Sequence, residues 1–213
     1  MAFALPLPKY PRALPAALLT ALLASIPAAP AFAQATTPAA PNASAPAAAK
    51  RGQPIEMANP SFVGDAAGEL TGWHKIEHAS GNSYTFTADK KAPLSKPSSL
   101  RIERHGVEAY GLLEQRVPTL PAWEGRTVRL SGSLKSAKAT EGGGALILQA
   151  RTAGSVILAH DHMNDTRVRG DQGWTKVSVQ VKLPPQTGQL LVGVILEGPG
   201  TLWADDLSLE LID

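Results

Sequence analysis

Apolar and polar positions alternate with a period of two along most of the chain after residue 53. The clearest case is near the C-terminus, where Leu207, Leu209 and Leu211 are separated by Ser208 and Glu210. Successive side chains of a β-strand point to opposite faces of its sheet. This segment is therefore predicted to be a strand with one buried face and one face in water.

The same alternation recurs in short segments that are separated by turn residues. In the segment 83–88, for example, Tyr84 and Phe86 are predicted to point inward and Thr85 and Thr87 outward. No segment keeps a 3.6-residue apolar period for three turns, so no long amphipathic helix is expected. Strands are predicted over 59–62, 73–78, 83–88, 100–103, 111–117, 127–134, 145–150, 156–163, 175–181, 190–196 and 202–211. This spacing is typical of an all-β sandwich or barrel.

Two glycine-rich segments are predicted to be turns. Gly198, Pro199 and Gly200 lie between two β-rich runs, a pattern that predicts a hairpin closing the sandwich. The three glycines at 142–144 are predicted to form a turn or a flexible loop. The predicted core contains Trp73, Phe86, Leu100, Ile102, Leu130, Leu146, Leu148, Trp174, Val179 and Leu209.

The first 33 residues have the pattern of an export signal. Lys9 and Arg12 form a positive region, the segment 14–26 is apolar, and the small residues Ala31 and Ala33 mark a cleavage site. The apolar segment is shorter than the ~20 residues that a membrane-spanning helix needs. We therefore expect cleavage after Ala33, no membrane insertion of the mature protein, and a periplasmic or secreted location.

Composition divides the rest of the chain into two parts. Residues 34–53 are rich in Ala, Pro and Thr and are predicted to be a disordered linker. Residues 54–213 are predicted to be one folded domain. The chain contains no cysteine, so the domain must be held together without disulfides.

The positive charge of the chain is concentrated before the domain. Lys9, Arg12, Lys50 and Arg51 all precede the first acidic residue, Glu56. Subtracting these four cations from the formal net charge of +2 leaves −2 for the remainder. A weakly negative domain gives no reason to expect a nucleic-acid partner.

Nine short motifs occur in the order seen in one known family. They are Asn59-Pro60-Ser61-Phe62, Gly72-Trp73, Ser99-Leu100-Arg101-Ile102, Leu113-Glu114-Gln115, Val128-Arg129-Leu130-Ser131-Gly132, Asp161-His162-Met163, Gly173-Trp174, Leu183-Pro184 and the segment from Gly198 to Asp206. Over 55–212 the chain resembles galactose-binding-like domains, in particular the carbohydrate-binding-module-like group found beside exported bacterial peptidases, esterases or regulatory domains. The resemblance implies an antiparallel jelly-roll β-sandwich with an accessory, non-catalytic role.

The resemblance also implies a candidate metal site. Similar domains often carry a structural calcium ion where the first and last strands meet, and carboxylates such as Asp206 are suitable ligands. The sequence departs from the family at Val63, where an acidic residue is usual, and at His162, where Asn is usual. The alternative is that Asp206 accepts backbone N–H groups in its turn, which favours its ionised form. No other cofactor is expected.

A second candidate metal site consists of His160 and His162. Side chains two residues apart on a strand share a face, and imidazoles bind zinc, copper or nickel. The other three histidines lie on distant segments, so no third ligand is evident. The alternative is a pair of half-exposed histidines at a strand end, where Asp161 caps a turn.

The sequence gives little indication of catalysis. It contains no nucleophile elbow and no phosphate-binding glycine loop. Glu103, Glu108 and Glu114 lie on or next to adjacent predicted strands. Two of them could form the pair of carboxyl groups that a glycosidase uses, but the sequence does not determine their separation. A solvated charged face explains them better, and we predict that the protein is not an enzyme.

Carbohydrate binding requires aromatic rings for sugar faces and planar polar groups for hydroxyls. The four tryptophans are predicted to have structural roles, three at core or hairpin positions and one, Trp123, in a loop folded onto the core. The remaining candidates for ligand binding are Tyr110, Gln115, Gln149 and Arg101, with the first three on one sheet face.

Two classes of function remain open at this stage. The first is a binding module for a glycan or polysaccharide of the cell envelope. The second is an accessory or structural domain that recognises a protein partner. A cluster of rings and polar groups on one sheet face favours the first, and a flat apolar patch or an exposed sheet edge favours the second.

Overall fold

Ten β-strands make up most of the residues that the computed structural model describes, 52–79 and 81–212. They are β1 (Gln53–Ile55), β2 (His74–Glu77), β3 (Tyr84–Asp89), β4 (Ser99–Arg104), β5 (Tyr110–Pro118), β6 (Thr127–Arg151), β7 (Ile157–Asp161), β8 (Val168–Lys182), β9 (Gln189–Glu197) and β10 (Thr201–Leu211). Among these residues no helix has the length and apolarity needed to cross a membrane. The predicted export signal and nearly all of the predicted linker lie outside the described residues.

The strands form two antiparallel sheets that share the long strand β6. The first half of β6 pairs with β10 and β8, and β10 pairs in turn with β4, which pairs with β3; we call this group sheet I. The second half of β6 pairs with β9 and β7, and β9 pairs with β5, which pairs with β2; we call this group sheet II. The short strand β1 adds to β10. The predicted antiparallel jelly-roll sandwich is confirmed.

The three glycines at 142–144 do not form a separate turn, so that prediction is wrong. They lie inside β6, which continues to Arg151. Lys138, Glu141 and Gly143 have positive φ angles, and the register with β8 shifts in this region. Such irregularities bend a strand while its pairing continues. The bend lets one strand serve both sheets.

The turn at Gly198 and Gly200 does not close a hairpin, which corrects a second prediction. The strands on either side, β9 and β10, do not pair with each other; both pair with the same edge of β6, β9 with its second half and β10 with its first half. Both glycines have positive φ, at +86° and +122°, which suits glycine because it lacks a Cβ atom. The turn carries the chain from sheet II to sheet I.

The segment 59–62 is a turn and not the start of a strand. Asn59 and Phe62 have φ angles of 45° and 51°, and the Asn59 side chain accepts a 2.7 Å hydrogen bond from Val63 N. Asparagine side chains stabilise turns by such local bonds. The turn places the fully buried Phe62 ring against Trp73, with ring centroids 5.2 Å apart.

The core between the sheets matches the predicted core except at one position. Nine of the ten predicted residues are buried, whereas Trp174 is partly exposed. On β8, Val177, Val179 and Val181 point inward, so Trp174 falls on the opposite face by the period-two rule. The match of Gly173-Trp174 to a core position of the resembled family is therefore misleading here, because the position of a residue along the strand decides which face its side chain occupies.

Candidate functional site

Alternate residues of β5, β9 and β6 point away from the core and form the outward face of sheet II. The register places Glu114 of β5 beside Gly193 of β9, and Gly193 beside Ile147 of β6. Gln149 follows two residues later on β6, beside Leu191. Side chains from three neighbouring strands are therefore brought together on this face.

The outward face of sheet II has an apolar floor. Leu191, Ile147 and Ile195 are only 1%, 4% and 5% exposed although they point away from the core. Gly193 lies among them, and a Cβ atom there would come within 2.8 Å of Leu112 Cδ1. The glycine thus lets the Leu112 side chain lie across β9 and extend the floor.

Gln149 stands on this floor with its amide group held from both sides. Arg151 Nε donates a 2.7 Å hydrogen bond to Gln149 Oε1, and Gln149 Nε2 lies 2.8 Å from His162 Nε2. The guanidinium fixes the amide oxygen, so the amide nitrogen must face the imidazole. The second N–H of the amide is left to serve another acceptor.

His162 is suited to accept the hydrogen bond from this amide. Burial lowers its pKa below the ordinary value of 6.5, and the nearby His160 and Arg167 lower it further. The carboxylates of Asp161 and Glu197 act in the opposite direction but less strongly. His162 is therefore neutral at pH 7, and its Nε2 carries a lone pair when Nδ1 carries the proton.

Glu114 is the second polar group of the floor. It is 9% exposed, and no hydrogen bond or ion pair joins its carboxylate to any of the described residues. His74 of β2 lies beside it on one side and Gly193 on the other. A carboxylate without a partner on a sheet face can accept hydrogen bonds from a ligand.

Two of the predicted binding residues lie on the outward face of sheet II. Gln149 is part of its centre, and Tyr110 lies near one end beside Glu197, with the His78 ring edge-on at 5.7 Å. Gln115 does not lie there, contrary to the prediction. It follows Glu114 directly and so points to the inner face, where its amide donates to Ala58 O and accepts from Ala58 N at 3.0 and 2.9 Å.

The fourth predicted binding residue, Arg101, lies on sheet I and is not brought near the others. It pairs with Glu103 at 2.7 Å. Sequence reasoning missed Glu114, Arg151 and His162 as members of the sheet II site. Leu113 is fully buried, so the alternation along β5 would have placed its neighbour Glu114 on the outward face. His162 lies just beyond the end of β7, where no alternation of apolar and polar residues could have indicated its direction.

The candidate metal sites receive little support from the geometry. His160 and His162 have ring centroids 4.7 Å apart, but among residues 52–79 and 81–212 no three His, Asp or Glu side chains form a metal-binding group. Asp206 lines an open cleft of about 380 Å³ with Ser131, Ser133, Ser178 and Ser208, and is the one carboxylate among the lining residues. One carboxylate among hydroxyls does not fit calcium, which takes six to eight oxygen ligands.

Asp205 takes the structural role that the sequence suggested for Asp206. Its carboxylate is fully buried and accepts hydrogen bonds from Ser95 N at 2.9 Å, Ser95 Oγ at 2.7 Å and Asp206 N at 2.7 Å. It therefore holds the loop before β4 against β10. Asp206 itself has φ +53° at the bulge of β10 and a side chain in water.

The three glutamates considered for catalysis are not brought together as a pair. Glu103 lies on β4 of sheet I and pairs with Arg101, whereas Glu114 lies on β5 of sheet II. Glu108 precedes β5 and accepts a 3.0 Å hydrogen bond from Ala79 N.

An open cleft of about 720 Å³ lies between the edge strands β2 and β3. Its charged residues already have partners. Lys75 pairs with Glu69 at 2.7 Å, and Glu77 accepts hydrogen bonds from Asn82 N and Ser83 N at 3.0 and 2.7 Å. The cleft therefore offers a ligand fewer unsatisfied polar groups than the outward face of sheet II.

Comparison with solved structures defines the class of fold. The xylan-binding CBM22-1 domain of Paenibacillus barcinonensis Xyn10C superimposes with a TM-score of 0.53 and 17% identity, over 78% of this chain and 99% of that domain. The enzymatically active domain of bacteriophage CBA120 tailspike protein 4 gives 0.57 and 13%, over 75% of this chain but 21% of that one. The chain therefore has a carbohydrate-binding-module-like jelly-roll fold.

Sequence comparison adds one partial relative. No family model matches the chain. A segment of 89 residues is 27% identical to YbfP, an uncharacterized HTH-type transcriptional regulator of Bacillus subtilis (strain 168). The match covers 42% of this chain and 30% of the regulator, so the chain spans less than a third of that relative.

Proposed function

We propose that the protein is an exported, non-catalytic module that binds carbohydrate through the outward face of sheet II. The observation that carries this proposal is the Gln149 amide, held between Arg151 and His162 above an apolar floor. A polar group whose orientation is fixed before binding loses little conformational entropy when the ligand arrives.

The face offers both kinds of contact that a sugar ring needs. The C–H groups of a pyranose can pack on Leu112 and the Tyr110 ring, which are only partly buried. Its hydroxyls can donate to the Glu114 carboxylate and accept from the remaining N–H of Gln149. Successive sugars of a polysaccharide offer the same kinds of C–H and hydroxyl groups, so these contacts can form at many positions along its chain.

The arrangement of acids favours binding over hydrolysis. Glycosidases use two carboxyl groups roughly 5 to 9.5 Å apart on either side of the scissile bond. On the outward face of sheet II, Glu114 forms no ion pair with any residue that the structure describes, whereas Glu197 is engaged by Arg167 at 2.8 Å. The leader sequence supports export, and the Ala/Pro-rich linker suits a module that moves freely.

The proposal is tested by isothermal calorimetry and affinity electrophoresis of the full-length exported protein against xylan, β-1,4-galactan and mixed-linkage glucan. We expect binding with a Kd between about 1 µM and 1 mM, and a loss of at least tenfold for Gln149→Ala and Glu114→Gln. Gln180→Ala is the matched control, because it removes an exposed amide from β8 on the other sheet.

Three outcomes would contradict the proposal. Binding that survives both Gln149→Ala and Glu114→Gln would place the site elsewhere. Absence of binding to all three polysaccharides, together with recovery of one specific protein partner, would favour the interaction-domain alternative. Release of reducing ends that Glu114→Gln abolishes would show an enzyme.

A further inference from the structure

The outward face of sheet I carries a second cluster that the sheet II site does not use. The register aligns Thr87 of β3, Arg101 of β4, Trp203 of β10 and Lys135 of β6 in one row across four strands. Trp174 of β8 completes the row, because Lys135 Nζ lies 6.0 Å from its ring centroid. All of these except Thr87 are partly rather than fully exposed, so their side chains pack against one another.

The indole ring of Trp203 is fixed in this row. Its Nε1 donates a 2.8 Å hydrogen bond to Asp89 Oδ2, and the Arg101 guanidinium lies 5.8 Å from its ring centroid. Arg101 is itself held by Glu103 at 2.7 Å. Burial acts to raise the pKa of Asp89, but hydrogen bonds from Lys91 N and Trp203 Nε1, with the charge of Arg101, lower it overall. Asp89 therefore stays ionised at neutral pH and keeps the ring oriented.

Lys135 is the cation between the two rings. Its Nζ lies 4.8 Å from the Trp203 centroid and 6.0 Å from the Trp174 centroid. No carboxylate of the described residues forms an ion pair with it. The cation–π contacts position the ammonium group but leave its charge uncompensated. An anionic group of a ligand can supply the missing partner.

The surroundings of this row extend the cationic character across the sheet. On the β3 side an open cleft of about 500 Å³ is lined by Lys90, Lys91 and Arg101, with Asp89 already bonded to Trp203. On the β8 side Lys176 lies beside Ser133 at the cleft that also holds Asp206. Two tryptophans with a central lysine are thus flanked by further cations and by hydroxyl groups.

We propose that Trp174, Lys135 and Trp203 form a second binding site, which takes a glycan chain carrying carboxylates, that is, a uronate-containing polysaccharide. Sugar rings stack on the two indoles, and a uronate carboxylate binds the Lys135 ammonium between them. The class of ligand follows from the presence of both aromatic rings and a cation. Rings alone would suit neutral sugars, and cations alone would suit any polyanion. The proposal does not depend on the sheet II site.

The test uses the full-length exported protein with polygalacturonate, with the same polymer after reduction of its carboxylates to alcohols, and with polyglutamate. Binding is followed by tryptophan fluorescence and calorimetry at low salt. We expect the protein to bind polygalacturonate, to bind the reduced polymer and polyglutamate at least tenfold more weakly, and to lose affinity as salt is added.

The variants separate this site from the first. Lys135→Gln and Trp174→Ala should each weaken polygalacturonate binding at least tenfold, while Lys135→Arg should retain most of it. Lys182→Ala, which removes an exposed lysine at the end of β8, and Gln149→Ala on sheet II should leave it unchanged. Thermal unfolding verifies that each variant is folded, and Lys135→Gln tests the site alone should Trp174→Ala not fold.

Several results would overturn the proposal. If the carboxylate-reduced polymer bound as tightly as polygalacturonate, Lys135 would not bind a carboxylate of the ligand. If polyglutamate bound as tightly as polygalacturonate, the indole rings would not contribute to binding. Binding that Gln149→Ala abolishes and Lys135→Gln does not would assign the acidic polymer to sheet II. No binding of polygalacturonate by the wild-type protein would refute the proposal directly.

Discussion

The amide nitrogen of Gln149 lies 2.8 Å from Nε2 of His162, and the imidazole can accept a hydrogen bond from this amide only in its neutral form. Burial is the main reason why the pKa of His162 lies below 6.5, helped by His160 and Arg167. A protonated imidazole has no acceptor, so both groups would then be donors facing each other. The orientation of the Gln149 amide therefore depends on pH.

Carbohydrate binding through the outward face of sheet II should weaken as the pH falls through the lowered pKa of His162. Binding weakens at lower pH because the neutral imidazole holds the Gln149 amide in place, and protonation of the imidazole releases it. Calorimetric titrations between about pH 4.5 and pH 7.5 measure the effect. His162→Gln, which cannot protonate, should bind with a flat profile; a wild-type profile that is equally flat would contradict this mechanism.

Gln115→Ala should lower the free energy of unfolding by about 1 to 3 kcal/mol, because it leaves the N–H and C=O of Ala58 without the partners that Gln115 supplies. Carbohydrate affinity of the folded variant should stay unchanged, since Gln115 points to the inner face. Urea denaturation and calorimetry check the two halves of the prediction. A Gln115→Ala variant that has normal stability but no longer binds carbohydrate would show that Gln115 belongs to the binding site.

Leu209→Ala should cost about 2 to 5 kcal/mol of unfolding free energy. The side chain is 2% exposed on β10 between the sheets, so truncation removes buried methyl groups and leaves a cavity. Leu120→Ala makes the same change where the side chain is 58% exposed, and should alter stability by less than about 0.5 kcal/mol. Similar costs for the two variants would argue against the core described above.

The two tryptophans Trp73 and Trp174 should differ sharply in their effect on stability. Trp73 is 7% exposed and packs on Phe62, so its replacement by alanine should cost about 3 to 5 kcal/mol. Trp174 is partly exposed on the outward face of sheet I, and its replacement should cost about 1 kcal/mol or less. Chemical denaturation of both variants decides between a structural and a surface role for Trp174.

The intact mass of the exported protein should correspond to a mature N-terminus at Gln34. The small residues Ala31 and Ala33 form the cleavage site, and the apolar segment before them is too short to anchor the chain. Mass spectrometry of the periplasmic and culture fractions measures this. Retention of Met1 in a cytoplasmic product would refute export.

The fold could be predicted from the sequence because period-two alternation is a local property. Tyr84 and Phe86, or Leu207, Leu209 and Leu211, identify a strand and its buried face without knowledge of the partner strand. The predicted hairpin at Gly198 failed for the complementary reason. Which strand pairs with which depends on contacts distant in the chain, and here the two strands that the turn connects both pair with β6 instead of with each other.

The candidate site could be predicted only in part. Gln149 was assigned to the outward face because Leu146 and Leu148 are predicted to point inward and the side chains of a strand alternate. Gln115 was assigned by residue type, and Trp174 by its place after a glycine in a motif of the resembled family. In both cases the position on the strand decides the direction of the side chain instead. His162 lies beyond the end of β7, where no alternation applies.

The alternation of apolar and polar residues is enough to predict that this chain forms an antiparallel sandwich and which faces of most strands are buried, because the hydrophobic effect acts on each strand separately. Tertiary structure alone decided that β6 bends to serve both sheets, that Arg151, Gln149 and His162 meet on one sheet, and that Trp174, Lys135 and Trp203 meet on the other. Trp174, Lys135 and Trp203 come from three strands far apart in the chain, whereas His162 reaches Gln149 across the pairing of β6 with the neighbouring strand β7. Strand pairing and register bring them together, and neither is encoded in any one segment.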